Sequence, residues 1–386
     1  MWQARRTWRH KLARFNLWAT LYGSWALGLF PFVYVRSSNR LRRSKWLIGY
    51  GIVMNLGLVL ISFRYHEDTE VSDMVEIYQR NALAKQITQI QVYLILTTIF
   101  VTLFRNWWVS EELGNILNTL LQLYEHRLQV DRESLDCSSF DKYVIYKSLS
   151  IWLELISLLC LKLGFNTPIS YKLFLVLAAF MAIQLSILLL GMHFNLAVLF
   201  IYRSIWLINR ELVMLAKQKQ RQFRRIHDLH GTYSRLLALS TRLSSIYSYQ
   251  MILFMLCLLS VNVLSPFYMI VYSISLKKTL TFLLILNFGQ GLAINILDFW
   301  INIAVCELTE RAADTTSTTL RLFNNTANDE VWLDRSINNF ALFCAHRRLR
   351  FTHCGLLRIN NAMGFRMIVT SVLYILYLVQ FDFMNL

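Results

Sequence analysis

Eight stretches of this chain are long and apolar enough to be read as membrane-embedded helices, at about 15–35, 45–64, 86–104, 147–163, 171–202, 246–273, 279–305 and 362–381. A helix needs about 20 mostly apolar residues to cross the roughly 30 Å hydrocarbon layer, where its backbone must satisfy its own hydrogen bonds. Composition points the same way. The chain is 56% hydrophobic and 16% charged, whereas soluble domains are roughly half apolar and about a quarter charged. No Pro- or Gly-rich linker divides it, since Pro31, Pro168 and Pro266 all lie in or beside apolar stretches. The expectation is one continuous all-α membrane domain over 1–386.

The stretch 15–35 differs from the others. GLFPF at 28–32 puts Gly28 and Pro31 inside it, and basic clusters flank both ends: Arg5, Arg6, Arg9, Lys11 and Arg14 before, Arg36, Arg40, Arg42 and Arg43 after. A full crossing would leave one cluster outside, against the positive-inside rule. A re-entrant or interfacial helix avoids that conflict, with Pro31 turning the chain where neighbouring protein covers its backbone. No small-x-small cleavage site follows the basic start, so the segment reads as part of the mature chain.

Seven transmembrane helices then remain, with the N-terminus cytosolic and the C-terminus extracellular. The cytosolic segments 1–44, 105–146, 203–245 and 306–361 hold 29 lysines and arginines, and the external ones only Arg80, Lys85, Lys277 and Lys278. This asymmetry opposes the outside N-terminus of a G-protein-coupled receptor. The external 65–85 segment is also rich in acids, from Glu67 to Glu76. The formal net charge of +16 therefore has a membrane explanation, and no recognition motif supports a nucleic-acid partner. The sequon Asn324-Asn325-Thr326 falls on the cytosolic side and is expected to be unused.

Segment 203–245 carries Leu212, Leu215, Ile226, Leu229, Leu236 and Leu243 at helical intervals among basic residues, which predicts cytosolic helical extensions of the two flanking spans. Segment 306–361 should likewise form helices beneath the membrane. Such extensions would build a platform between subunits or lie on anionic lipid. The six cysteines show neither CxxC pairing nor a dense disulfide framework and read mostly as buried fillers. There is no GxSxG, HExxH or GxxxxGK[ST] motif, so neither an enzyme nor a metal or cofactor site is expected. A transporter should show two related halves with matching broken helices, and only Gly289-Gln290-Gly291 hints at a break.

Ionisable residues within spans are expensive. Lys162, Lys172 and Arg366 lie near membrane faces and can snorkel. Glu154 and Asp298 are deeper and should face protein, paired with another helix or touching ligand. His193 reads as a hydrogen-bonded packing residue.

At the C-terminus LYILYLVQF, Leu373–Phe381, resembles the Thr-Tyr-five-hydrophobics-Gln-Phe signature of the insect gustatory receptor family, with Tyr374, Gln380 and Phe381 matching and Leu373 replacing the usual Thr. HCGLLRINNAMGFRMI at 353–368 is similar to the family's approach to its last span, and GLFPF to its N-terminal region. The resemblance implies a tastant-gated, non-selective cation channel in the plasma membrane of taste neurons, in their dendrites, axons and cell bodies. It further implies a homo- or heterotetramer with four copies of the last span around a pore; among the family's ligand classes bitter compounds are expected, because nothing in the sequence suggests the sugar-sensing branch.

On a helix Leu373, Tyr377 and Gln380 share a face, as do Leu376 and Gln380, so one polar residue ends an apolar wall of the kind that gates by excluding water. Family analogy puts Gln380 and Phe381 at the narrow part of the pore. Ligand-contact candidates are aromatic and amide residues in the outer halves of spans: Gln91, Tyr171, Phe174, Tyr268, Tyr272, Asn287 and Gln290. An odorant receptor of the related family would share this topology and mechanism, and a G-protein-coupled receptor would need the reverse orientation.

Overall fold

The computed structural model describes residues 2–35, 37, 40–64, 82–127, 137–163, 171–218, 223–274, 282–323, 331–355 and 357–384. The acidic 65–81 segment, Lys277, Lys278 and the Asn324 sequon lie outside them.

Ten α-helices and two short hairpins, with a single 3-10 turn at Arg321–Phe323, are the regular elements of the described residues. In chain order they are α1 (Trp2–Ala26), β1 (Phe32–Val35), β2 (Arg40–Arg43), α2 (Lys45–Arg64), α3 (Ala82–Trp108), α4 (Ser110–Arg127) and α5 (Ser138–Leu163). Then follow α6 (Tyr171–Gln218), α7 (Phe223–Ile274), α8 (Phe282–Leu320), α9 (Val331–His346), β3 (Thr352–His353), β4 (Leu357–Arg358) and α10 (Asn361–Met384). Among the described residues, six helices are long and apolar enough to cross a membrane: α3, α5, α6, α7, α8 and α10. α2 adds a shorter apolar helix over Lys45–Ile61.

The apolar stretches of the sequence lie inside helices that are mostly longer than themselves. α6 has 48 residues and α7 has 52, so each is about 72 Å or more long at 1.5 Å per residue, over twice a bilayer's hydrocarbon. Both must project well beyond it. Their projecting parts are amphipathic and pack on each other through Leu212, Leu215, Ile226, Leu229, Leu236 and Leu243, all buried in one core. α9 closes that core with Leu333, Ile337, Phe340 and Cys344, buried at helical spacing. α4 does the same with Leu113, Ile116, Leu120 and Leu123, behind Glu111 and Glu112 in its first turn.

The N-terminal segment departs from the expected 15–35 helix. α1 starts at Trp2 and stops at Ala26, and the turning residue is Gly28 (φ 67°) rather than Pro31. Beyond it the chain becomes strand, with Phe32 opposite Arg43 and Val35 opposite Arg40. The turn is held by neighbours. Asn55 Nδ2 donates to the Leu27 carbonyl (3.0 Å) and Asn106 Nδ2 to that of Leu29 (2.7 Å). Asn118 exchanges both backbone bonds of Leu41, satisfying the free edge of β2. Gly28 and Gly51 lie so close that a Cβ on Gly51 would be 2.3 Å from the Gly28 carbonyl oxygen.

The six cysteines are free: Cys137, Cys306 and Cys344 are buried, Cys257 and Cys354 half-buried, and Cys160 exposed.

Candidate functional site

α10 is held firmly at its start and lightly beyond it. Asn360 caps it, its Oδ1 accepting from Met363 N at 2.8 Å. Two glutamates one turn apart on α8 hold the chain around that cap. Glu307 Oε2 accepts from Asn361 N at 3.0 Å. Glu310 Oε1 accepts from Phe351 N at 2.9 Å, and its Oε2 from the Arg358 guanidinium at 2.5 Å. The β3–β4 turn between them needs positive φ at Cys354 and Gly355, and Ser244 and Ser248 of α7 bond its Thr352 carbonyl and Cys354 N–H. Gly364 lets α10 press onto α8, since a Cβ there would stand 2.6 Å from Ile303 and 3.1 Å from Trp300.

Further along, only one stripe of α10 faces protein. Ser371 and Leu378 are buried, and Leu378, Ile375 and Val379 pack against Val263, Leu264, Phe267 and Val271 of α7 and Ile87 of α3. The opposite face carries all five residues predicted to line a pore. Leu373 and Tyr377 are 60% and 64% exposed in the single chain, and Leu376, Gln380 and Phe381 are exposed with them.

Those predicted ligand contacts whose side chains are described are spread over α3, α6, α7 and α8. Tyr268 and Thr88 are hydrogen-bonded through their hydroxyls, and half-buried Gln91 sits one turn further along α3. Gln290 is half-buried on α8, beside the close approach of Gly291 to Ser157 of α5. Tyr171 and Phe174 are exposed at the start of α6. The side chains of Tyr272 and Asn287 lie outside the described residues, as do those of Lys162 and Lys172. A cavity of about 10 Å³ does lie between α3, α6 and α7, lined by Thr102, Gly191, Tyr247, Gln250 and Phe254 among others, and none of the predicted contacts among the described side chains lines it.

Asp298 is paired across helices, as the sequence suggested for a deep acid, and its partner is Lys147 of α5, which sequence reading missed. Lys147 Nζ lies 2.6 and 2.7 Å from the two carboxylate oxygens, with both side chains at most 1% exposed. Ser150 adds a third donor at 2.6 Å, and Asn302, bonded to Asn195 of α6, lies one turn beyond. Glu154 accepts from Gln184 of α6 at 3.1 Å. His193 packs and hydrogen-bonds as expected, 2.7 Å from Ser24 Oγ and edge-on to Phe30. Lys147 sits where its span begins on an apolar scale, so only its distance from Asp298 on a helix pairing, which no single sequence displays, could have flagged it.

A bundle of long apolar helices, with buried polar side chains bridging neighbouring helices and an end helix exposing an apolar face, defines a multi-pass membrane protein. Its architecture is similar to that of the insect olfactory receptor OR5 from Machilis hrabei, with TM-score 0.67 at 12% identity over 98% of both chains. The same receptor in complex with eugenol gives 0.65 at 13%, over 97% and 98%. Residues 17–385 match the family model described as 7tm chemosensory receptor. This chain belongs to that family, within its gustatory receptors. The gustatory receptor for bitter taste 22e of Drosophila melanogaster is 46% identical over 98% of each chain. The putative gustatory receptors 22a and 22d of the same fly are 43% identical over 97% of this chain and 95% of the relative, and 39% identical over the whole of both.

Proposed function

We propose that this receptor is a ligand-gated, non-selective cation channel for bitter tastants in taste neurons. Four copies, identical or mixed with other gustatory receptors, surround a pore lined by α10. Each has seven spans, its N-terminus in the cytosol and its C-terminus outside. The single observation that carries the reading is the exposed stripe of α10. Leu373, Leu376 and Tyr377 form an apolar wall ended by Gln380 and Phe381, on a helix whose other face is already packed. Rings of such side chains exclude water until the helices part. The bitter modality comes from the relative named for bitter taste, and the ligand would enter among the outer ends of α3, α5, α6, α7 and α8. Gln91, Tyr171, Phe174, Tyr268, Tyr272, Asn287 and Gln290 remain its proposed contacts.

The test begins with topology. Epitope tags at the C-terminus and within 203–245 are stained in intact and in permeabilised cells. A C-terminus reached without permeabilisation, together with a protected 203–245 segment, is the expected result, and tastant-evoked cation currents should follow. The reverse pattern would put a G-protein-coupled receptor back in front and end the channel reading.

A further inference from the structure

The first 66 residues contain eleven lysines and arginines and no acidic residue before Glu67. Some of that charge is paired with acids of the same chain. Arg9 reaches Asp141 at 3.4 Å, and Arg43 lies 3.9 Å from Glu111. Lys11, Arg14 and Arg42 have no carboxylate partner among the described residues and are exposed.

The charge sits beside an inverted helix. The inward face of α1 is small and polar, with Ala13, Thr20 and Ser24 buried. Its outward face carries Trp8, Phe15, Trp18 and Tyr22, between 46% and 68% exposed, in steps of seven, three and four residues. Lys11 falls on the same stripe, three residues after Trp8. Just past the β1–β2 hairpin, Lys45 is exposed and Trp46 is 90% exposed. Water does not favour such an aromatic stripe, and the hydrocarbon core does not accept Lys11, Arg14 and Arg42. The headgroup layer accepts both, because Trp and Tyr settle at that level and long basic side chains reach phosphate from it.

We infer that the outward face of α1 and the arginine strand β2 form a docking surface for anionic phospholipid headgroups. The aromatic rings sit at the headgroup boundary and the unpaired cations supply the charge complement to phosphate. Each basic residue near an anionic surface contributes a factor of about five in affinity. This fixes how the N-terminal segment meets the bilayer without a crossing. That the leaflet is the cytoplasmic one rests on the topology proposed above. The surface itself does not.

The experiment uses the full-length chain in symmetric vesicles, so that it reads lipid preference whichever way the protein inserts. Tryptophan fluorescence is quenched with brominated phosphatidylserine in a phosphatidylcholine background, and separately with brominated phosphatidylcholine at equal mole fraction. The expected result is stronger quenching by phosphatidylserine, reduced by added salt. That excess should disappear in a W8F/W18F/W46F variant, which assigns it to this surface. K11Q/R14Q/R42Q should lower the phosphatidylserine preference by roughly fivefold per charge removed, and the single variant R42Q serves if the triple variant is unstable. Equal quenching by both lipids, or an excess that survives the glutamine substitutions, overturns the inference. Quenching by neither lipid means that another copy of the chain covers the surface, which also overturns it. Tag accessibility, measured separately, bears only on the topology.

Discussion

Lys147 and Asp298 illustrate what a buried charge does to a helix bundle. Two ions inside apolar protein are tolerable only together, so removing one is far costlier than removing both. Lys147→Met or Asp298→Asn alone should lower stability by roughly 3–5 kcal/mol, read as loss of the monodisperse fraction on heating in detergent. Combining Lys147→Met with Asp298→Leu should recover most of that loss, and a double variant no better than either single one would refute the pairing argument. Gly51 is a steric counterpart. Its missing Cβ makes room for the Gly28 carbonyl, so Gly51→Ala should destabilise by about 1–3 kcal/mol, the usual cost of overpacking. The sequence suggested a partner for Asp298 but showed neither its identity nor the role of Gly51. Asp298 stood out because an acid in an apolar run is conspicuous, whereas Lys147 lay at a run's edge and Gly51 in a helix where glycine looks incidental.

At the scale of elements, apolar runs located the helices but not their ends. Hydrophobicity stops where lipid stops, and α6, α7 and α8 continue as amphipathic helices packed on one another. The two hairpins left no signal, because strands of four and two residues are too short for alternation to register. One of them makes a titration prediction. His353 is fully buried in β3, with its ring 5.5 Å from that of Phe194. Burial disfavours the imidazolium and pushes its pKa from 6.5 down to about 4. The folded protein then binds fewer protons than the unfolded chain between those values. The contribution is complete above pH 6.5 and is lost as pH falls towards 4, by up to about 3 kcal/mol. Unfolding temperatures measured across that window should fall on the acid side in the wild type. In His353→Gln that part of the slope should vanish, and an unchanged slope would exclude this histidine as its source.

For the whole molecule, the question is what covers α10. Its stripe with Ser371 and Leu378 is packed on its own chain, while Leu373, Leu376, Tyr377 and Gln380 face outward. Lipid and other copies of the same helix are the available covers, and they differ in what they bring near. In the proposed tetramer each outward residue approaches its own counterpart around the axis, so the exposed stripe of one helix meets itself at every level. Single cysteines at Leu376 and Gln380 should therefore form intersubunit disulfides under mild oxidation, seen as dimers on non-reducing gels. A cysteine at Leu378, buried against α7 within its own subunit, should not. Bands absent from all three positions would mean that lipid covers the face and that the pore lies elsewhere. Bands from Leu378 would mean that α10 is rotated, and would move the gate from the Leu376–Gln380 wall to the opposite side of the helix.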